Sequence, residues 1–337
     1  MMKKITELNA LLITNEELKE TLENIGWKTF ISEIKRGFEQ CSLGQAVVPE
    51  KVYVDTGVSD MRCMPAYLPP YNPHFCGVKI VSTAPANKKF GLPTVLGEYL
   101  LRDAETQQLV AIMQAEEMTA YRTGAATGVA TEALSRTDCK TLGIIGTGKQ
   151  AYYQAKAILT VRDSIDRIKV FNRTEQRARD FRAKYEPEFG IDIAVVALED
   201  AVDSDIVTTV TPATEPFIAP ELIRSGMHLN GVGADSKTKI EFDPQVLKKC
   251  KIFIDDLSQC VHSGEIYQGL EKGIVEKADL VTLGAVLLGK ADGRTSDDDI
   301  TFFKSTGVAF QDLITAIMVF EGPRSDRHST SFDESLK

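Results

Sequence analysis

Residues 141–151, Thr141-Leu142-Gly143-Ile144-Ile145-Gly146-Thr147-Gly148-Lys149-Gln150-Ala151, decide the fold. Thr141–Ile145 is a short apolar run that reads as a strand, and Gln150–Val161 has helical spacing. Between them, Gly146-x-Gly148-x-x-Ala151 is the GxGxxA form of a dinucleotide fingerprint. Gly146 permits the tight turn, Gly148 lets the backbone approach a pyrophosphate, and Ala151 lets the helix pack closely on the strand. The helix N-terminus adds free N–H groups and a positive dipole end for phosphate oxygens. The alternative is an ordinary glycine turn in an α/β domain. The strand–turn–helix context favours the fingerprint.

Outward from this stretch, strands and helices alternate. Ile168–Phe171 reads as a strand and Thr174–Lys184 as a helix; Ile193–Val196, Ile206–Thr209, His228–Val232 and Ile252–Ile254 are further strands. This alternation predicts an α/β fold, a doubly wound parallel sheet of the Rossmann type. Upstream the pattern differs. Asn15–Gln40 reads as one helix, with Leu18, Leu22, Ile25, Phe30, Ile34 and Phe38 on its apolar face. Five β-like runs follow, at Val47–Val54, Met61–Leu68, Phe75–Ser82, Thr94–Leu101 and Gln108–Met113, separated by Gly and Pro turns. They predict an antiparallel or mixed sheet, hence an α+β second domain. Thr119–Ser135 reads as a helix dense in small residues, and Ser305–Gly322 as a helix returning to the first region. The polar tail from Pro323 is expected to fray.

Composition bounds the partners. The chain has 337 residues, 43% hydrophobic and 26% charged, enough apolar material for two domains with cores of their own. Thirty-nine basic against forty-eight acidic residues give a formal net charge of −9. Such a field argues against nucleic acid or an anionic membrane as partner, though not against a local basic pocket for a small anion. Cys41, Cys63, Cys76, Cys139, Cys250 and Cys260 form no CxxC pair and read as reduced thiols of a cytoplasmic protein. With only His74, His228, His262 and His328 and no HExxH, no metal site is expected. The opening MMKKITELNA lacks a signal core, and no run approaches a membrane span.

The second strand ends Val170-Phe171-Asn172-Arg173-Thr174, without the carboxylate that usually receives a ribose 2′-hydroxyl. Asp166 precedes the strand and is poorly placed. A guanidinium at the tip suits a 2′-phosphate, so NADP(H) is favoured over NAD(H), with Asn172, Arg173 and Thr174 as candidate contacts. A solvated Arg173 that merely opens the next helix is the alternative. Three cations stand in apolar or small surroundings: Arg62 in Met61–Tyr67, Lys79 in Phe75–Val81 and Arg122 in Tyr121–Ala126. By period two, Lys79 faces away from Val78 and Ile80. The plain reading is a solvated lysine on an outer sheet face, and the same holds for the arginines. A buried basic cluster would instead suit a carboxylate substrate. Asp235 follows the apolar stretch Met227–Ala234, where strand ends line the ligand crevice of a doubly wound sheet, or else makes an Asx turn or helix cap. Lys239 and Thr211 also lie near predicted strand ends.

The blocks MRCMPAY, GVKIVS, GLPTV, AYRTGAATGVA, IIGTGKQA, VTTVTP, HLNGVGAD and FKSTGVAFQDL together resemble the ornithine cyclodeaminase/μ-crystallin family. That family also holds archaeal-type alanine dehydrogenases and cyclic ketimine reductases. The resemblance spans about residues 45–320. It implies a substrate-binding and dimerisation domain, residues 1–120 with 308–337, and a dinucleotide-binding domain, residues 121–307, in a homodimer. Carried over position by position, it places Arg62 and Lys79 on the substrate carboxylate, Asp235 as general acid/base and Thr306 beside the substrate. It places Thr94, Arg122, Lys149, Gln150, Asn172, Thr211, Val232, Lys239 and Ser305 at the cofactor. Asn172-Arg173 departs from the aspartate typical of cyclodeaminases and looks more like the NADPH-using ketimine reductases, whereas μ-crystallin itself lacks an aspartate at the Asp235 position.

The implied activity is hydride transfer at the α-carbon of an amino or imino acid, foremost reduction of pyrroline-2-carboxylate or piperideine-2-carboxylate to proline or pipecolate. The alternatives are ornithine cyclodeaminase, alanine dehydrogenase, and a non-enzymatic μ-crystallin-like binder of NADPH or a small ligand. In this scheme Arg62 and Lys79 orient the substrate, and a partly desolvated Asp235 passes a proton to the imine nitrogen.

Overall fold

A computed structural model describes residues 10–322; the expected fraying tail from Pro323 and residues 1–9 of the opening segment lie outside the described residues. The elements run β1 (Leu11–Ile13), α1 (Asn15–Ile25), α2 (Trp27–Ser42), β2 (Val52–Asp55), β3 (Asp60–Tyr67), β4 (Phe75–Thr83), β5 (Val95–Asp103), β6 (Leu109–Gln114) and α3 (Ala115–Leu134). Then follow β7 (Thr141–Ile145), α4 (Lys149–Val161), β8 (Arg167–Phe171), α5 (Glu175–Phe189), β9 (Asp192–Val195), α6 (Leu198–Val202), β10 (Ile206–Thr209) and β11 (His228–Gly231). The chain continues through β12 (Lys251–Ile254), α7 (Leu257–Cys260), α8 (Gly264–Glu271), β13 (Leu280–Thr282), α9 (Leu283–Leu287), β14 (Thr301–Lys304) and α10 (Ala309–Glu321). It divides into two compact units, Met1–Arg122 with Val308–Lys337, and Thr123–Gly307.

The first unit carries a six-stranded mixed sheet in the order β1-β6-β5-β4-β3-β2, antiparallel except for β1 on β6. Val47–Val54 gives only the short β2, with Val47 in an isolated bridge to Tyr67. Pro49 has no N–H to donate to a ladder there. The helix expected over Asn15–Gln40 is two helices, because Gly26 sits at φ +81° and breaks the turn. Thr14 and Glu17 form a capping box at the start of α1. Within α2, a Cβ on Gly37 would lie 2.5 Å from Ile314 and 2.6 Å from Phe310, so the glycine lets α2 and α10 meet closely.

The second unit is an eight-stranded parallel sheet ordered β13-β12-β14-β11-β10-β7-β8-β9. Read from β9, the first five places follow the 3-2-1-4-5 order of a Rossmann fold; the sixth is taken by β14, the last strand of the unit, with β12 and β13 beyond it. Successive strand residues enter different apolar clusters: Ile144 and Ile206 join one, Ile145 and Val207 the other. The alternation of strand side chains therefore buries both sheet faces. In α3, a Cβ on Gly124 would come 2.6 Å from the Tyr153 carbonyl oxygen, so the small residues there serve close packing on α4.

Three strands escape the sequence reading. β1 and β13 are three-residue strands, too short for any periodicity. β14 lies between β11 and β12 and reads Thr-Phe-Phe-Lys. Its fully buried Lys304 hides the strand signal and is matched by Glu265 at 2.8 Å. The last helix starts at Ala309, not Ser305. Asp255 accepts the Thr306 and Gly307 N–H groups at 2.6 and 2.7 Å, and Gly307 has φ +76°, so this stretch stays out of the helix.

Candidate functional site

The glycine turn after β7 builds an anion-ready cradle in the second unit. Gly146 has φ +93°, and a Cβ on it would lie 2.9 Å from Thr211 Cγ2. Gly148 caps α4 with no side-chain hydrogen bond, and a Cβ there would meet nothing within 4 Å. The space beside Gly148, at the N-terminus of this 13-residue helix, is therefore open, which suits a phosphate. Thr147 Oγ1 is buried beside them without a hydrogen-bond partner. Asn172 Oδ1 accepts the Thr147 N–H at 3.2 Å while its Nδ2 donates to the Thr174 carbonyl at 2.9 Å, so the amide ties the β7 turn to the β8 tip.

These elements line a cavity of about 620 Å³, with Gly146–Gly148 on one wall, Asn172, Arg173, Thr174 and Arg177 on another, and residues 210–217 on a third. Arg177 was not singled out from the sequence, although it stands one helical turn beyond Arg173. The orphaned hydroxyl, the open Gly148 and the two guanidinium groups fit the phosphates of a dinucleotide. Lys149, Gln150, Val232, Lys239 and Ser305 are not among the lining residues of this cavity. Gln150 Oε1 accepts from Gln154 at 3.4 Å, the Val232 N–H donates to Thr209 O at 3.1 Å, and the Ser305 N–H donates to Gly231 O at 3.1 Å.

Asp235 stands in the loop after β11 and accepts from the Lys239 ammonium at 2.7 Å, with both side chains 31% exposed. The carboxyl is partly withdrawn from solvent, and the structure adds an ion pair with Lys239 that the sequence reading did not include. Thr306 is 7% exposed and donates its hydroxyl to Asp255 at 2.9 Å. His228 is buried against Thr301 at 2.9 Å, and burial pulls its pKa down to about 3, so it is a neutral core imidazole.

The first unit overturns the solvated-lysine reading. Lys79 is 1% exposed, while Val78 and Ile80 on the opposite side are only half-buried. Its Nζ donates to Asp312 Oδ1 at 2.8 Å and lies 3.5 Å from Thr119 Oγ1. Arg122, 6% exposed, donates to the same Oδ1 at 3.1 Å and to Gln311 Oε1 at 3.1 Å. Burial first, then the Arg122 charge, pulls the Lys79 pKa down to about 7 against the opposing pull of Asp312. Asp312 Oδ2 and Gln311 Nε2 are buried without partners, as is the Tyr99 hydroxyl on the strand opposite Lys79. Gln311 and Asp312 were missed as single residues; the signal was an adjacent amide and carboxylate inside the mainly apolar Ala309–Val319 run.

Arg62 pairs with Asp60 at 2.7 Å and stacks over Tyr53 at 5.5 Å. The register sets Arg62 opposite Val81 and Lys79 opposite Met64, so the two cations share one sheet face, two residues apart. Thr94 precedes β5, where its carbonyl accepts the Ala84 N–H at 2.8 Å. Among the described residues no group of three His, Cys, Asp or Glu could hold a metal ion, and no helix is long and apolar enough to cross a membrane.

Fold and sites define a two-unit α/β protein with a Rossmann-like sheet and a buried cationic cluster. Residues 14–327 match the sequence model of the ornithine cyclodeaminase/mu-crystallin family, and the chain belongs to that family. It is 38% identical to alanine dehydrogenase of Archaeoglobus fulgidus, with 94% of this chain and 96% of that one covered. A solved archaeal alanine dehydrogenase dimer with bound NAD superposes with a TM-score of 0.87 at 36% identity, covering 95% of this chain and 99% of that one. The Thermococcus litoralis Δ1-pyrroline-2-carboxylate reductase, solved with NADH and L-proline, gives a TM-score of 0.87 at 32% identity, covering 94% and 100%.

Proposed function

We propose that this protein is an NAD(P)H-dependent oxidoreductase acting at the α-carbon of an amino or imino acid, and that it reduces a cyclic imino acid such as pyrroline-2-carboxylate or piperideine-2-carboxylate. The observation that carries this reading is the Lys79–Asp312–Arg122 cluster: two buried cations share one carboxylate oxygen. The surplus positive charge suits a substrate carboxylate. The dinucleotide cradle of the second unit and the likeness to a pyrroline-2-carboxylate reductase support it.

A bound nicotinamide supplies the hydride that the α-carbon receives. The chain's residues bind, orient and move the proton. The α4 N-terminus and Arg173 hold phosphates, and Lys79 and Arg62 hold the carboxylate. Holding the reacting groups in place is worth several kcal/mol, on the order of 7–11 at best. Asp235 exchanges a proton with the imine or amine nitrogen, and Lys239 stabilises its ionised form. Two chains are proposed to assemble through the first unit, where Val52, Tyr53 and Val54 of the edge strand β2 are exposed; a single-chain mass in sedimentation equilibrium would remove this part.

A second reading, alanine dehydrogenase, is favoured by the likeness to the Archaeoglobus enzyme over 94% of the chain. A substrate panel separates the two. Cyclic imino acids with NADPH are expected to turn over faster than pyruvate with ammonia, and ornithine is expected to release no ammonia. The reverse ranking gives the second reading, and no turnover with any substrate sinks the oxidoreductase.

The β8 tip makes a separate prediction. Arg173→Ala is expected to raise the KM for NADPH about 10–100-fold, the worth of one charge-assisted hydrogen bond, and to leave the KM for NADH within about threefold. Equal changes for both cofactors would show that Arg173 does not read a 2′-phosphate.

A further inference from the structure

We propose that Glu241 is the positioning residue that sets the nicotinamide half of the dinucleotide site, by tying together the loops that leave β10 and β11. This rests on the dinucleotide reading above. Glu241 lies in an irregular segment and is fully buried. Its Oε1 accepts the Thr211 N–H at 2.7 Å and the Thr211 hydroxyl at 2.8 Å. Its Oε2 accepts the Gly233 N–H at 2.8 Å and the Thr209 hydroxyl at 2.7 Å. One carboxylate thus closes both strand ends at once.

The clamp is itself fixed. The Glu241 N–H donates to Glu265 Oε1 at 2.7 Å, and its carbonyl accepts the N–H groups of Phe217 and Ile218 at 3.0 and 3.2 Å. Glu265 is held in turn by Lys304 of β14 at 2.8 Å, so the loops are referenced to the middle of the sheet. Gly233 has no room for a side chain: a Cβ would sit 2.2 Å from Thr211 O and 2.5 Å from Glu241 Oε1. Two of the four partners are backbone N–H groups, which can only donate, so each carboxyl oxygen must accept at least one bond. Burial, and then Glu265, push its pKa up, which these donors and Lys304 oppose.

Burying two carboxylates around one ammonium is a poor way to stabilise a core. It is a good way to hold two loops rigid before a ligand arrives. In a doubly wound sheet each half binds one mononucleotide, outside the carboxyl ends of its strands. The β7–β9 half holds the glycine turn and Arg173, the adenylate side. The β10–β11–β14 half is the one that Glu241 organises.

The test compares two probes on Glu241→Gln: NADPH, and 2′,5′-ADP, which lacks the nicotinamide half. The amide puts an N–H₂ group against an N–H donor on one loop. The expected result is a rise in the NADPH Kd of about 10–100-fold, with 2′,5′-ADP within about threefold and a thermal transition that stays cooperative. Unchanged NADPH binding, or parallel loss of both probes, overturns the inference and leaves the dinucleotide reading standing. Failure of the unsubstituted protein to bind either NADPH or NADH removes that reading and the inference with it. If Glu241→Gln does not fold, Thr209→Val removes one donor and keeps the loop backbones. It is expected to weaken NADPH alone, about threefold, and no change would overturn the proposal.

Discussion

Lys79→Met is expected to lower kcat/KM at least about 30-fold, because truncating one member of a buried charge pair that also binds an anion removes about 2–5 kcal/mol. The loss has two parts. The substrate carboxylate loses a donor, and Asp312, with Oδ2 already unpartnered, keeps only Arg122. The pH dependence separates a binding role from a packing one. Burial holds the Lys79 pKa at about 7, so the ammonium is lost as the pH rises through that value. The free-enzyme kcat/KM is therefore expected to fall above about pH 7, with Lys79→Arg flat over the same range.

Stability runs the other way. The unfolded lysine keeps its proton up to about pH 10.4, whereas the folded one gives it up near 7. Between those values the unfolded state binds more protons, so the wild-type chain gains stability as the pH rises, by up to about 1.4 kcal/mol per pH unit. Urea unfolding at pH 6.5, 8 and 9.5 is expected to show the wild-type minus Lys79→Met difference growing with pH. A constant difference would mean that Lys79 is charged throughout.

Gly148→Ala is expected to abolish dinucleotide binding while leaving the fold intact. An alanine Cβ there meets no protein atom within 4 Å, and the backbone is extended at φ −78°, so the folded chain accepts it. The methyl group instead occupies the space a pyrophosphate needs, and a loss of more than about 30-fold in affinity follows from the displaced phosphate hydrogen bonds. Gly146→Ala is the contrast. At φ +93° with Thr211 Cγ2 at 2.9 Å, it is expected to cost about 1–3 kcal/mol of stability. Isothermal titration with NADPH beside thermal unfolding distinguishes the two. Full binding by Gly148→Ala would mean the cradle holds no pyrophosphate.

The second unit was readable because its signals are local. The glycine turn, the apolar runs and the helix between β7 and β8 all lie within about one βαβ unit. What stayed hidden depends on distant chain. Lys79 on β4 looks like any strand lysine until Asp312, 233 residues away, is brought to it. β14 is masked by Lys304, whose charge argues against a central strand until Glu265 is seen beside it. Asp235 was singled out from its place after a strand, but its ion pair with Lys239, four residues on, shows only in the folded loop. Glu241 and Arg177 carry no motif; only the folded loops show what they face.

The second unit is one uninterrupted stretch of chain, whereas the first is made from both ends, with α10 supplying Asp312 to Lys79 and Arg122. During synthesis from the N-terminus, residues 123–307 are available to fold first, while the opening sheet waits for its last helix. A chain released before Asp312 would carry two buried-site cations with no counter-ion and an α2 face, at Gly37, with no partner helix. Placing the acid of this buried cluster in α10 therefore works as a completeness check: a chain terminated before it lacks the charge balance that Lys79 and Arg122 need.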